Sequence, residues 1–188
     1  MTSAVNEQID PSLPAITERV PVGSPLYNQV VEHLYDEADM LDNLNLREWQ
    51  KSFTEDIAYQ APVQITRRRS EKQPLLRTMM HLYENYNSME MRIHKVHDTA
   101  VCWAEEPNSR TRRLITNVRV NRTSKEDEIA VISYFLLTRN RFESAESQLL
   151  SGARRDRFRL VEGELKLARR DIQLDMSVLS MPNLAIFL

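Results

Sequence analysis

Two histidines and a carboxylate lie at helical spacing near the middle of the sequence, where they could bind a metal ion. His94 and His97 are three residues apart, and Glu90 lies one turn before His94. Two histidines and one carboxylate form the ligand set of mononuclear non-haem iron(II) centres. Arg92 and Lys95 interrupt this face, and solvent-facing histidines are common on amphipathic helices. The sequence therefore favours a solvated helix face, and no metal site is predicted.

Other residue types that carry chemistry are sparse. The single cysteine, Cys102, lies between Val101 and Trp103, a context that predicts a buried, unreactive thiol. His33 and His81 are isolated and are expected to be capping or interface groups. The three glycines of the chain are too few for a phosphate-binding loop or a dinucleotide fingerprint. No catalytic, cofactor-binding or metal-binding residue is assigned.

Arginine runs raise the question of nucleic-acid binding. They occur at residues 67–69, 110–113, 154–159 and 169–170. Acidic residues, rather than the aromatic residues that RNA-binding surfaces use, are interleaved with them, and the net charge is −2. This pattern favours arginine–carboxylate pairs at a subunit interface over a path for phosphates. No nucleic-acid partner is predicted.

The segment WAEEPNSRTRR, residues 103–113, combines these features. We expect Trp103 to anchor a loop in the core and residues 107–109 to form its turn. The arginines that follow are expected to pair with acids within or across subunits, and Glu105 and Glu106 are the nearest candidates. Six residues are predicted to be structural or to lie at a subunit interface: Trp103, Glu105, Glu106, Arg110, Arg112 and Arg113.

The chain as a whole has the composition of a globular protein. Its 188 residues suffice for one domain with a hydrophobic core, and 41% of them are hydrophobic. Residues 1–23 are predicted to be an arm, either disordered or laid over a neighbour, and residues 24–188 a single domain. No secretory signal and no membrane-spanning run is evident, and one cysteine suits a reducing compartment, so a soluble, cytoplasmic protein is expected.

Helical patterns dominate the first half of the sequence. Ser24 and Pro25 predict the start of a helix that ends near Leu41. Asn45 and Glu48 resemble a capping box that starts a second, shorter helix, which would carry Trp49 and Phe53. The spacing of apolar residues from Met79 to Val96 predicts a third, longer helix.

Strand patterns occupy the rest. Alternation from residue 57 to 66 predicts a strand, which Pro62 would confine to a sheet edge. Further strands are predicted at 114–120, 128–138, 147–160 and 164–175, with a turn at 161–163 and a bulge near 168–170. This order of elements predicts an α+β fold with a mostly antiparallel sheet.

WAEEPNSRTRRLITNVRV (103–120) resembles the stretch with tryptophan, acid, proline and S-R-T-R that marks the small, or beta, subunits of Rieske-type aromatic-ring-hydroxylating dioxygenases. Other segments resemble the same family in order and place. They are YDEADMLDNLNLREW (35–49), SYFLLTRNRFE (133–143), SGARRDRFRLVEGELKLARRDIQLD (151–175) and the ending NLAIFL. The similarity covers residues 24–188.

The resemblance implies a cone: a curved antiparallel sheet packed with helices, like nuclear transport factor 2 and ketosteroid isomerase. It also implies an alpha-subunit partner within an alpha3beta3 hexamer, in which the beta subunits form a trimer. A Rieske [2Fe–2S] cluster and a mononuclear Fe(II) are then expected in the alpha subunit. A Rieske centre needs two cysteines and two histidines, so a chain with one cysteine does not carry it.

Two functions remain as hypotheses. The first is a structural beta subunit, inactive alone, in an enzyme for cis-dihydroxylation of aromatic hydrocarbons; the PNLAIFL ending and YDEADMLDN lean towards polycyclic substrates such as naphthalene. The second is a stand-alone isomerase or dehydratase that uses a buried acid or histidine in the mouth of the cone.

Overall fold

The computed structural model describes residues 13–64, 75–99, 102, 105–179, 181 and 183–188. Within them, one curved, seven-stranded sheet packs against helices, which confirms the α+β prediction. The strands follow the order β1-β4-β5-β6-β7-β2-β3. Their bounds are β1 Ile16–Arg19, β2 Phe53–Gln64, β3 Leu75–Glu84, β4 Arg110–Thr123, β5 Glu128–Asn140, β6 Gln148–Val161 and β7 Glu164–Leu174.

The first helix, α1 (Pro25–Asp42), forms as its pattern predicts. The Ser24 side chain accepts a hydrogen bond from the main-chain N–H of Tyr27, and Pro25 needs no such acceptor because it has no N–H. The buried face of the helix is apolar except for Glu37. That exception places a carboxylate against the concave side of the sheet.

The second helix, α2 (Leu46–Gln50), begins where predicted, but it does so without a capping box. The Asn45 side chain makes no capping hydrogen bond. Its main-chain N–H donates to the Met40 oxygen at 2.8 Å instead, which ties the start of α2 to the end of α1. Phe53 lies in β2, outside the helix.

The prediction of a long third helix is wrong for its first residues, 79–84. β3 occupies residues 75–84 and pairs with β2, and α3 spans only Tyr86–Ile93, followed by a π-helical turn at His94–Asp98. Asn85 explains the boundary, because its side chain and that of Ser88 form a reciprocal capping box. The apolar residues before Asn85 fit a helical period, but pairing with β2 determines their structure.

β2 is not an edge strand, so the prediction from Pro62 is also wrong. β2 lies between β7, to which it is parallel, and β3, to which it is antiparallel. The register with β3 shifts on both sides of Pro62, and the pairing with β7 reaches only to Gln60. Pro62 is therefore accommodated at an irregularity of the ladder, where its missing N–H costs no regular hydrogen bond.

Strands β4 to β7 form the predicted antiparallel meander. Glu162 and Gly163 adopt left-handed φ values of 53° and 87° in the predicted turn between β6 and β7. The predicted bulge is confirmed at Ala168, because Leu167 pairs with Phe158 while Arg169 pairs with Arg157. Residues 16–19 of the expected arm form β1 on the edge of this sheet, next to β4.

The end of the chain completes the core. Ile186, Phe187 and Leu188 are buried in one cluster with Trp49, which has no exposed surface. Trp49 contacts the rings of Phe53 and Phe187 edge-on, at centroid distances of 4.7 and 5.0 Å. Among the described helices, none is long and apolar enough to span a membrane.

Candidate functional site: the charged interior of the sheet

The concave side of the sheet contains arginines where an ordinary core has apolar residues. Arg139, Arg154 and Arg170 occupy inward positions of β5, β6 and β7, and each is at most 1% exposed. Arg113 on β4 is 9% exposed. Buried guanidinium groups are costly unless acids pair with them, so the partners decide what this interior can do.

Arg170 lies at the centre and holds two carboxylates. Its Nε and Nη2 donate to the two oxygens of Asp156 at 2.9 and 2.7 Å. Its Nη1 and Nη2 donate to the two oxygens of Glu37 at 2.8 and 2.9 Å. Burial by itself lowers the pKa of Arg170, but the charges and hydrogen bonds of Asp156 and Glu37 outweigh it and raise the pKa well above its ordinary value. Helix α1 is thereby bonded to β6 and β7.

Glu37 is the buried acid that a catalytic site in this interior would use. Trp49 Nε1 donates to its Oε1 at 3.0 Å, and Arg154 Nη1 donates to its Oε2 at 3.1 Å. Burial by itself raises the pKa of Glu37, but the charges of Arg170 and Arg154 and the hydrogen bonds from Arg170 and Trp49 bring it down to about 2. At neutral pH Glu37 is ionised, has no proton to donate and is a weak base.

Arg113, expected to pair with an acid within or across subunits, pairs with Asp42 at the end of α1 of the same chain. The Arg113 N–H and the Thr111 hydroxyl donate to the two Asp42 oxygens at 2.9 and 3.0 Å, and the Arg113 guanidinium also contacts this carboxylate. Arg113 Nη2 donates to the Phe187 oxygen at 2.6 Å. Burial lowers the pKa of Arg113 despite Asp42. This side chain joins α1, β4 and the end of the chain.

Glu105, a predicted partner of the arginines at 110–113, pairs with Arg139. Its carboxylate contacts the Arg139 guanidinium and accepts a hydrogen bond from the Ser109 N–H at 2.9 Å. Arg139 Nε donates to the Ser109 hydroxyl at 2.8 Å, which fixes the bend at residues 106–107 against β5. These contacts join the predicted loop to β5 within the chain.

The other predicted site residues lie on the surface or outside the described residues. Glu106 is exposed, and its main-chain oxygen accepts a hydrogen bond from Arg141. Arg110 is exposed and donates to the Phe142 oxygen. Arg112 is exposed and lies 3.9 Å from Asp42. Trp103 falls outside the described residues.

Arginines also hold the main chain at its end. The Leu188 oxygen accepts hydrogen bonds from the Tyr59 hydroxyl and from Arg170, and the Leu188 N–H donates to the Tyr59 oxygen at 2.8 Å. Arg92 donates to the Leu184 oxygen at 2.9 Å and lies over the Phe187 ring. Burial raises the pKa of the Tyr59 hydroxyl. The last residues therefore fill the interior and carry part of its hydrogen bonding.

The histidine face of the sequence forms a surface network. His94 and His97 each place Nδ1 within 2.9 Å of an Asp98 oxygen, and Arg47 also contacts Asp98. Hydrogen bonds from Arg47, His97 and His94 hold the pKa of Asp98 well below its ordinary range. Within the described ranges, no group of three or more histidine, cysteine or acidic side chains is placed to hold a metal ion.

His33 on α1 is a histidine near the interior. It packs edge-on against Phe158, with ring centroids 5.1 Å apart, and burial lowers its pKa. It borders an open cleft of about 570 Å³ whose other walls include Glu32, Asp36 and Lys166. The lining of the cleft is mostly polar and includes neither Glu37 nor Asp156. The negative charges of these two buried acids nevertheless act on His33, where they oppose the effect of burial on its pKa. Cys102 is buried, as predicted.

Known proteins resemble this chain along most of its length. The family described as "Ring hydroxylating beta subunit" matches residues 36–181. The beta subunit of benzene 1,2-dioxygenase from Pseudomonas putida is 33% identical over 172 residues, which cover 89% of this chain and 91% of that subunit. The beta subunit of biphenyl 2,3-dioxygenase from Rhodococcus jostii (strain RHA1) is 32% identical over 176 residues, or 91% of this chain and 93% of the relative.

Solved structures agree on the fold. A structure of naphthalene 1,2-dioxygenase with indole bound in the active site contains a chain that matches with a TM-score of 0.75, at 24% identity and over 86% of this chain and 84% of that one. The beta subunit of benzoate 1,2-dioxygenase from Burkholderia mallei matches with a TM-score of 0.61 at 17% identity. The match covers 83% of this chain and 93% of that subunit. These similarities confirm the predicted cone-shaped fold.

Proposed function

Because this chain belongs to the family of ring-hydroxylating dioxygenase beta subunits, we propose that it is the structural, non-catalytic subunit of such an enzyme. A separate alpha subunit carries out the reaction, in which both atoms of dioxygen are added to an aromatic ring. The relatives are named for benzene and biphenyl, and an aromatic hydrocarbon is the proposed substrate class here too.

The observation that carries this proposal is the state of the interior acids. Both oxygens of Glu37 and both oxygens of Asp156 accept hydrogen bonds from buried arginines. A general acid or base needs a free proton site in contact with substrate and a pKa near the working pH. Glu37 has neither, since its pKa is about 2 and it is 2% exposed. The network bonds α1, β6, β7 and the chain end together, which is a structural role.

The residues of this chain do not fit the electron-transfer centre of such an enzyme. A Rieske cluster is bound by two cysteines and two histidines, whereas this sequence has one cysteine, and it is buried. The Rieske cluster and the mononuclear Fe(II) are therefore proposed for the alpha subunit, and no reaction step is assigned to this chain.

Assembly follows from the same proposal. Residues 24–188 act as one beta-subunit domain that joins an alpha subunit in a cytoplasmic alpha3beta3 hexamer, with the beta subunits as a trimer. Several large apolar side chains on the outer face of β4, β5 and β6 support an assembled state, because exposed apolar patches often mark sites of protein–protein contact. They are Leu114, Tyr134, Leu136 and Leu149, between 39% and 52% exposed.

Reconstitution tests the proposal. The purified chain alone, and the chain co-purified with the large subunit of the same enzyme, are supplied with electron donor, dioxygen and benzene, biphenyl or naphthalene. Dihydrodiol formation is expected only when both subunits are present. Turnover of an isomerase or dehydratase substrate by the chain alone, or an equally active and stable large subunit without this chain, would contradict it.

A further inference from the structure

One buried arginine in the interior is only partly bonded. Arg154 donates to Glu37 from Nη1, but its Nε and Nη2 are buried and have no hydrogen-bond partner within the described part of the chain. The same two atoms of Arg170 bind Asp156 in a bidentate manner. Burial and the charge of Arg170 lower the pKa of Arg154. The Nε–Nη2 edge of Arg154, which can donate two parallel hydrogen bonds, is thus buried without an acceptor among the described residues.

A second buried group lies across the strand pair from this edge. Ser133 on β5 is directly opposite Arg154 on β6, so their side chains share the concave face and their Cβ atoms are about 4.5–5.5 Å apart. Ser133 is 0% exposed, and its hydroxyl likewise lacks a partner among the residues that the structure describes. Three buried polar atoms, from two residues that face each other across the strand pair, are therefore without a partner among the described residues.

We propose that Ser133 and Arg154 form a binding site for one small neutral oxygen ligand, a water molecule. It accepts hydrogen bonds from Arg154 Nε and Nη2 and donates one to the Ser133 hydroxyl. Buried waters make about three such bonds to otherwise unsatisfied groups. The site is independent of the proposed function of the chain.

Charge decides between water and an anion. Arg154 and Arg170 contribute two positive charges, and Glu37 and Asp156 contribute two negative charges, in one hydrogen-bonded cluster. A carboxylate or other oxyanion at Arg154 would leave an uncompensated negative charge in the core, which is costly. A neutral ligand satisfies the three atoms and keeps the cluster balanced.

The Ser133→Ala variant provides a test through the sign of its effect, measured by urea unfolding of the full chain in its purified assembly. If a water bridges the two residues, removal of the hydroxyl lowers the folding equilibrium constant by about threefold to tenfold. The loss should disappear in an Arg154→Met background, because the bridge is already broken there. An unchanged or increased equilibrium constant in the single variant would overturn the proposal, since the hydroxyl would then be an unpaired buried group.

Two further measurements keep the proposal testable if a variant does not fold. A crystal structure of the unmodified protein should show one density peak at about 2.7–3.2 Å from all three atoms. No peak there would overturn the proposal. In thermal unfolding, the shift caused by sodium formate or nitrate relative to sodium chloride at equal ionic strength should be the same for the unmodified protein and for Arg154→Lys. A stabilisation by the planar oxyanions that is lost in Arg154→Lys would show an anion site instead.

Discussion

Replacing Arg170 by methionine should strongly destabilise the fold, because this residue holds two buried carboxylates. Asp156 loses both of its bonds to Arg170, and Glu37 keeps only those to Arg154 and Trp49. Removing one partner of a buried ion pair costs about 3–5 kcal/mol, since an unpaired charge is left in the core. That is a large share of the roughly 5–15 kcal/mol that stabilises a typical protein.

The assay is urea unfolding at pH 7 and a fixed protein concentration. With a slope of about 2 kcal/mol per molar urea, the loss corresponds to a midpoint lower by about 1.5–2.5 M. Arg169→Met is the matched control, since Arg169 precedes Arg170 on β7 and bonds Asp171 at the partly exposed outer face. A partly exposed pair is worth about 1 kcal/mol or less.

The comparison of the two variants decides the outcome. If Arg170→Met lowers the midpoint no more than Arg169→Met does, the buried network does not stabilise the fold and the reasoning is refuted. Asp156→Asn gives an intermediate perturbation, because the amide retains one acceptor for Arg170. It should lower the midpoint by less than Arg170→Met does.

Three further predictions follow from individual residues. The pKa of Glu37 in the folded protein is about 2, below its ordinary value of 4.5. The stability that the ionised Glu37 contributes is therefore present above pH 4.5 and is lost as the pH falls towards 2. Acid unfolding monitored by circular dichroism should show this loss, and the Glu37→Gln variant should show a smaller one. Gly152→Ala should lower stability by about 1–3 kcal/mol or more in urea, because its Cβ would lie 2.4 Å from the main-chain oxygen of Gln173. Charge reversal should affect two adjacent arginines differently. Arg113→Glu should prevent folding, because Arg113 is buried. Arg112→Glu should leave the circular dichroism spectrum and the product distribution unchanged and should weaken only assembly, measured by sedimentation.

Local patterns predicted those parts of the fold that local chemistry determines. Ser24 and Pro25 start α1 as expected, and the slip in alternation near Ala168 marks a real bulge. Where a local pattern fits two structures, the predicted one is wrong. The apolar residues before Asn85 fit a helix, yet they pair with β2. Pro62 predicts an edge strand, but β2 lies between β7 and β3. The proline is accommodated beyond the end of the pairing with β7, where the ladder with β3 is irregular.

The sequence does not predict the interior network, because inward strand positions are ordinarily apolar. Arg154, Asp156 and Arg170 do follow strand alternation, and a strict period of two would have placed the first two residues on the same face as Phe158. Their charges suggested an interface instead. The partners could not be predicted, since Glu37 and Arg170 are 133 residues apart in the sequence and meet only in the folded chain.

The most direct test of a structural, non-catalytic subunit is the turnover of a dioxygenase that contains the Glu37→Gln variant. The variant is co-purified with its large subunit, and the rate is divided by the amount of intact complex measured by sedimentation. We expect the rate per complex and the ratio of products to stay within about twofold of the unmodified enzyme. General acid–base catalysis contributes about a hundredfold or more, so a loss of that size in intact complex would show that Glu37 is catalytic and would contradict the account.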